Sequence, residues 1–168
     1  MAYHRFMATI YLIRHGETPT TGKILPGRAP GLHLSERGRM QAAAVAKRLA
    51  SVDAVYSSPL ERARETALPT CERFHKELVL DDGLLEADFG TWTGESLSDL
   101  ATLPEWQVVQ RRPGEFRFPG GESFVEMQHR VVGCVRAIAA RHPGEAVACF
   151  THADPIKAAL AHFTGRGW

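Results

Sequence analysis

The stretch Ala8-Thr9-Ile10-Tyr11-Leu12-Ile13 runs straight into Arg14-His15-Gly16-Glu17. A β-branched apolar run of that length, closed by a turn signal, reads as a buried strand. It leaves an arginine and a histidine side by side at a strand's carboxyl end, where open α/β sheets build their ligand sites. The planar guanidinium fork of Arg14 suits a phosphate dianion, because it donates two parallel hydrogen bonds. A neutral imidazole beside it is a nucleophile toward phosphorus, and Gly16 lets backbone pack close to that ring. These residues point to phosphate chemistry with His15 as the attacking group.

Working outward, Thr18 to Gly31 is rich in Thr, Gly and Pro and reads as an irregular segment over the strand end. Ser35 is placed to cap a helix reaching about Ala50, with Met40, Ala44, Val45 and Leu49 on its apolar side. Ala54-Val55-Tyr56-Ser57 is a second short strand. Ser58-Pro59-Leu60-Glu61 then combines a capping serine, a proline at the first helical position and a glutamate at the third. The helix it opens is expected to run to about His75, followed by a third strand, Leu78-Val79-Leu80, and the turn Asp81-Asp82-Gly83.

Residues 91–121 carry Trp92 and Trp106 among prolines and glycines, and read as a lid-like, mobile insertion with a short helix over Pro104 to Gln110. A long helix is expected over Glu122 to Arg141, with Phe124, Val131, Val135 and Ile138 on one face. Ala146-Val147-Ala148-Cys149-Phe150 is a fully buried strand, after which Asp154 caps and Pro155 starts a last helix to about Phe163. Alternating strands and helices imply an α/β fold: a three-layer sandwich with a mostly parallel central sheet and helices on both faces.

The bulk numbers agree. A chain of 168 residues is one domain's worth, 1–168, with residues 1–6 expected to be a disordered extension; a domain of this size buries roughly two thirds of its unfolded surface. The apolar share of 44% and charged share of 23% are ordinary for a soluble protein. A net charge of +1 gives no general attraction to nucleic acid or an acidic membrane, so anion affinity must come from local clustering. Cys71, Cys134 and Cys149 are odd in number and sit in apolar patterns, as reduced core filler does in a cytoplasmic protein. There is no export-type leader pattern and no run of transmembrane length.

Three strand ends therefore converge on one edge of the sheet. The first delivers Arg14 and His15, the second delivers Arg62 in the first turn of its helix, and the last delivers His152. A helix N-terminus adds free N–H groups and a favourable dipole for an anion. Two arginines and a second imidazole can hold three equatorial oxygens and depress the pKa of His15.

The same residues carry a resemblance. Arg14-His15-Gly16-Glu17-Thr18, the run Ser58 to Ala67, Leu85-Glu86 leading into Phe89-Gly90-Thr91-Trp92-Thr93-Gly94, Pro119-Gly120-Gly121-Glu122-Ser123 and Thr151-His152 together resemble the motifs of the histidine phosphatase superfamily, in its phosphoglycerate mutase-like branch. The resemblance spans nearly the whole chain in order. It implies that His15 is phosphorylated, that Arg14, Arg62 and His152 bind the phosphoryl group, and that Glu86 is the proton donor. An alkoxide leaves poorly, so a protonated carboxyl that gives and then retakes a proton suits the task. Such an acid needs the raised pKa that burial beside Phe89 or Trp92 supplies.

Departures from the family pattern are visible too. Thr21 stands where the family often has asparagine, and is a weak candidate for one hydrogen bond to phosphate. Family members continue past the last helix into a further strand, whereas this sequence stops at Trp168, so the fold is trimmed at its C-terminus or the sequence is truncated. Thr18 stands where the acid phosphatase and phytase branch has a second arginine.

The expected activity is hydrolysis of a small phosphorylated metabolite, with no metal and no other cofactor. The alternatives are mutase-type phosphoryl transfer, which requires a covered pocket for two phosphates, and a catalytically weak phosphate-binding regulatory module. A cysteine phosphatase is excluded, because the residue six positions after each cysteine is Glu77, Ala140 or Pro155 rather than arginine. Arg28 and Arg117 are the candidates for reaching a second anionic group, with solvation as the alternative. Asp154 is an alternative acid to set beside its capping role, and a lid role is open for Trp106.

Overall fold

The computed structural model describes residues 7–167, so the expectation for residues 1–6 lies outside the described residues. Among the described residues four strands form one all-parallel sheet in the order β1-β4-β2-β3, where β1 is Thr9–Arg14, β2 is Ala54–Ser57, β3 is Leu78–Leu80 and β4 is Ala146–Thr151. The helices are α1 (Glu36–Arg48), α2 (Glu61–Phe74), α3 (Leu97–Leu100), α4 (Pro104–Arg111), α5 (Phe124–Arg141) and α6 (Ala153–Thr164). Parallel register pairs Arg14 with Thr151 and Ser57 with Phe150, so the carboxyl ends of β1, β4 and β2 finish at one level.

Period-two alternation sorts the strand residues into two cores. Tyr11, Ile13, Val55, Ala148 and Phe150 face one way, with Val45, Leu49, Ala67 and Cys71 of the α1–α2 layer. Ile10 and Leu12 face the other way, toward Met127, Val131, Val135, Ala158 and Ala159 of α5 and α6. Tyr56, Val147 and Cys149 extend that side to Ile138. This is the expected three-layer sandwich. No helix among the described residues is long and apolar enough to cross a membrane.

Local sequence explains most boundaries. Ser35 accepts from Gly38 N at 3.0 Å and caps α1. Ser123 and Glu126 form a reciprocal capping box that fixes the start of α5 two residues later than Glu122. The apolar face expected for α1 is shifted. Met40 is 62% exposed, and Gly38, Ala42 and Ala46 face inward instead. The cause is close approach: a Cβ on Gly16 would lie 2.5 Å from Gly38 O, and one on Gly38 would lie 2.1 Å from Glu17 O. Gly16 is thus needed for the docking of α1 against the loop after β1, and its backbone carbonyl also packs against the imidazole as expected.

Two capping expectations are corrected. Leu60, not Ser58, holds the cap position of α2, and no side chain caps it. His152, not Asp154, holds the cap position of α6. Asp154 lies in the first turn and pairs with Lys157 at 3.2 Å. In both cases the polar side chain is drawn to a different partner, described below. Residues 91–121 contribute Trp92, Phe116 and Phe118 to the core beside α5, where Phe118 meets Phe89, Trp92 and Phe116 edge-on and Phe124 at a tilt of 46°.

Candidate active site

The ends of β1, β2 and β4 bring His15, Arg62 and His152 together. His15 Nδ1 lies 2.7 Å from Gly16 O. A carbonyl only accepts, so Nδ1 carries the proton and Nε2 keeps its lone pair. Arg62 Nε donates to that Nε2 at 3.3 Å. The two imidazole rings sit 5.2 Å apart, tilted by 60°. Arg14, at the exposed end of β1, lines a hollow of about 230 Å³ with His15, Gly16, Glu17, Thr21 and Gln41.

Arg62 and His152 are both 0% exposed. Arg62 Nη2 donates to Gly27 O at 2.7 Å, while Nη1 is buried without a protein partner. His152 Nε2 meets Ser58 Oγ at 2.8 Å, and its Nδ1 is also buried without a partner. Ser58 Oγ already accepts weakly from Leu60 N at 3.4 Å. The direction of the bond to His152 follows the imidazole tautomer: where the hydroxyl donates to Nε2, Nδ1 carries the ring proton. Ser58 is thus a positioning group for His152 and not a helix cap. Two unpaired nitrogens, Arg62 Nη1 and His152 Nδ1, lie buried at this corner. An unsatisfied buried polar group costs about 1–3 kcal/mol, and a bound anion would pair with the guanidinium N–H and, in the Nδ1–H tautomer, with the imidazole as well.

Electrostatics set the protonation states. Burial, reinforced by the charges of Arg62 and Arg14, lowers the His15 pKa to about 4. Desolvation outweighs the arginine fields that the sequence singles out. His152 is pushed well below the usual histidine value by burial, with Arg62 and His15 adding to it. Both imidazoles are neutral at physiological pH, so the formal charge of this corner comes from the guanidiniums.

Glu86 reaches the site from the loop after β3. It is buried, and desolvation followed by the nearby Asp154 charge pushes its pKa up to about 8. Its Oε1 accepts from Ala87 N at 2.9 Å. The loop itself is clamped. The Glu86 carbonyl accepts from Arg28 Nε at 2.8 Å and Arg130 Nη2 at 3.3 Å. Arg130 Nη1 also holds Gly83 O and Leu85 O, at 3.0 and 2.9 Å. Glu122 ties the two arginines, accepting from Arg130 Nε at 2.8 Å and Arg28 Nη2 at 3.0 Å, and Asp88 N donates to the same carboxylate. Arg28 is therefore committed to the fold rather than free for a second anion. Arg117 is likewise held by Glu126 and by Gly121 O. Thr21 is exposed, and its Oγ1 accepts from Thr18 N at 2.9 Å.

Sequence reasoning missed Ser58, the Arg130–Glu122–Arg28 clamp, the Gly27 carbonyl and the Asp154 effect on Glu86. Ser58 alone had a usable sign, since it follows a strand that ends level with His152. Among the described residues no group of His, Cys, Asp and Glu is arranged to hold a metal ion.

A parallel α/β sheet with a histidine–arginine corner at its carboxyl edge defines a class of phosphate-handling proteins. The sequence pattern of the histidine phosphatase superfamily (branch 1) matches residues 10–168, and the chain belongs to that family. It is 32% identical over 166 residues to phosphoserine phosphatase 1 of Hydrogenobacter thermophilus, covering 95% of this chain and 77% of that protein. It is also 32% identical over 166 residues to a 2,3-bisphosphoglycerate-dependent phosphoglycerate mutase of Thermoplasma acidophilum, covering 96% and 78%. The solved structure of a mycobacterial glucosyl-3-phosphoglycerate phosphatase superposes with a TM-score of 0.82 at 28% identity, covering 93% of this chain and 79% of that one. The chain is a histidine phosphatase of phosphoglycerate mutase-like fold.

Proposed function

We propose that the protein hydrolyses a small phosphate monoester through a phosphohistidine on His15. Arg14, Arg62 and His152 bind the phosphoryl group, Thr21 is a weak additional contact, and Glu86 is the acid. In the first step His15 Nε2 attacks phosphorus in line, the P–O bond to the alcohol breaks, and the Glu86 carboxyl gives its proton to the departing oxygen. In the second step Glu86 carboxylate takes a proton from water, which attacks phosphorus. The P–N bond breaks, phosphate leaves, and His15 and Glu86 return to their starting forms. Arg62 Nη1 and His152 Nδ1 meet the equatorial oxygens, where charge-assisted hydrogen bonds contribute about 1.5–3 kcal/mol each.

The observation that carries this reading is the pair of buried, unpartnered nitrogens, Arg62 Nη1 and His152 Nδ1, beside a neutral His15. The opposed environments of His15 and Glu86 support it, since one is kept unprotonated and the other protonated at pH 7. Hydrolysis is favoured over mutase transfer because Arg28 and Arg117, the two candidates for a second anionic group, are held by Glu122 and Glu126. Residues 1–168 act as one catalytic domain, with 91–121 covering the side where the alcohol leaves, and the protein works in the cytoplasm on metabolites without metal, nucleic acid or membrane. Two of the relatives named above act, by their names, on phosphoserine and glucosyl-3-phosphoglycerate, which are small phosphorylated metabolites, and the third is a phosphoglycerate mutase. The test is phosphate release from a panel of phosphomonoesters by the wild type and by His15→Ala. Release by the wild type and none by the variant is expected, and undiminished release by the variant overturns the proposal.

A further inference from the structure

Near the phosphate corner lies a cavity of about 300 Å³, walled by Leu25, Phe89, Trp106, Val109, Phe118 and Phe124, with Gln110, Asp154 and Lys157 as its polar members. Several contacts tie it to the reacting centre. Asp154 sits two residues beyond His152, and its charge acts directly on Glu86. Phe89 lies 3.2 Å from where a Cβ on Gly27 would stand, and Gly27 O is the carbonyl that holds Arg62. An alcohol that takes its proton from Glu86 must leave on the Glu86 side of the phosphorus, and Asp154, whose charge bears on Glu86, is also part of the cavity wall.

We infer, on the reading that the chain hydrolyses phosphomonoesters through His15 and Glu86, that its substrates are esters of uncharged apolar alcohols, aryl-bearing or branched. A second anionic group is rejected. The walls are aromatic and aliphatic, and a cavity of about 150 Å³ lined this way already admits benzene. The space here is roughly twice that, enough for one ring and a short linker. The charges also argue against a second anion. Arg28 and Arg117 are spent on Glu122 and Glu126. Lys157, three-quarters exposed, is paired with Asp154 at 3.2 Å. The Asp154 carboxylate repels an anion and leaves one that enters without a free cation. Phosphoserine and glucosyl-3-phosphoglycerate both carry a carboxylate, so this assignment separates the chain from its named relatives.

The experiment is kcat/KM by phosphate release for ethyl, butyl and 2-phenylethyl phosphate against 3-phosphoglycerate. Each buried methylene is expected to raise kcat/KM about fourfold, and 2-phenylethyl phosphate is expected to exceed 3-phosphoglycerate by at least tenfold. Trp106→Ala is expected to lower kcat/KM for the phenylethyl ester at least five times more than for the ethyl ester, mainly through KM. Ready turnover with a flat alkyl series, or with 3-phosphoglycerate preferred, overturns the inference and leaves hydrolysis standing. No phosphate release from any ester overturns hydrolysis itself and this inference with it.

Discussion

Replacing Glu86 by Gln keeps the shape of the side chain and removes its transferable proton. Burial lifts this carboxyl from about 4.5 to about 8, which favours the neutral form by about 5 kcal/mol relative to a solvated carboxyl. At pH 7 the folded enzyme therefore favours the protonated form, whereas an unperturbed glutamate has lost its proton. General acid catalysis contributes about 10²- to 10⁴-fold, so Glu86→Gln is expected to lower kcat/KM for an alkyl phosphate by that factor. For 4-nitrophenyl phosphate, whose phenolate leaves without help, the loss is expected to stay below about tenfold. The alkaline limb of the wild-type profile, near pH 8, is expected to vanish in the variant.

Stability should move the opposite way. Because the folded pKa lies above the unfolded one, the native state holds more protons between about pH 4.5 and 8, and the wild type loses stability as pH rises through that window. The glutamine variant has no such loss, so its Tm advantage should grow from pH 5 to pH 8. The assay is a pH series of kcat/KM with both esters, alongside thermal unfolding in the same buffers. An equal loss for the two esters, or a variant less stable than wild type at pH 8, refutes the assignment of Glu86 as the buried acid.

Two further outcomes follow from the site. Ser58→Ala leaves His152 Nε2 without its partner, and is expected to cost about 1–2 kcal/mol of phosphate binding, seen as a roughly tenfold rise in the inhibition constant of inorganic phosphate. The buried histidines make the fold acid-sensitive. The His15 pKa lies near 4 when folded and near 6.5 when unfolded, so the unfolded state binds the extra proton between those values. Stability should therefore fall as pH drops through that window, and His15→Gln should flatten the slope in a Tm-against-pH series.

Much of this was legible in the chain because it depends on local rules. The run Thr9 to Arg14 reads as a strand and is one, although it lies at the sheet edge and is half-buried rather than buried as expected. Parallel order put His15, Arg62 and His152 at the carboxyl ends of the strands without any distance being known. Ser35 and Ser123 capped as their type dictates. What escaped was set by contacts between distant segments. Ser58 and Asp154 both carry the local signature of a cap, yet Ser58 holds a histidine 94 positions away and Asp154 bears on Glu86. Tertiary demand overrode capping there, at the site, where local rules most often give way. The clamp of Arg130 and Glu122 on the Glu86 loop has no sequence sign, because an arginine on a helix reads as solvated. Met40 misled for a related reason: close docking of Gly38 against Glu17 turned α1 so that alanines face inward.

The covalent intermediate is the most direct point of test. Acid quench would destroy a phosphohistidine, so the enzyme should be mixed with a ³²P-labelled phosphomonoester, stopped in alkaline denaturant within milliseconds, and its peptides mapped. Label on the peptide carrying His15, stable to base and lost in acid, is the expected result. An enzyme that turns over the ester with no label, or with label on any other residue, contradicts the account.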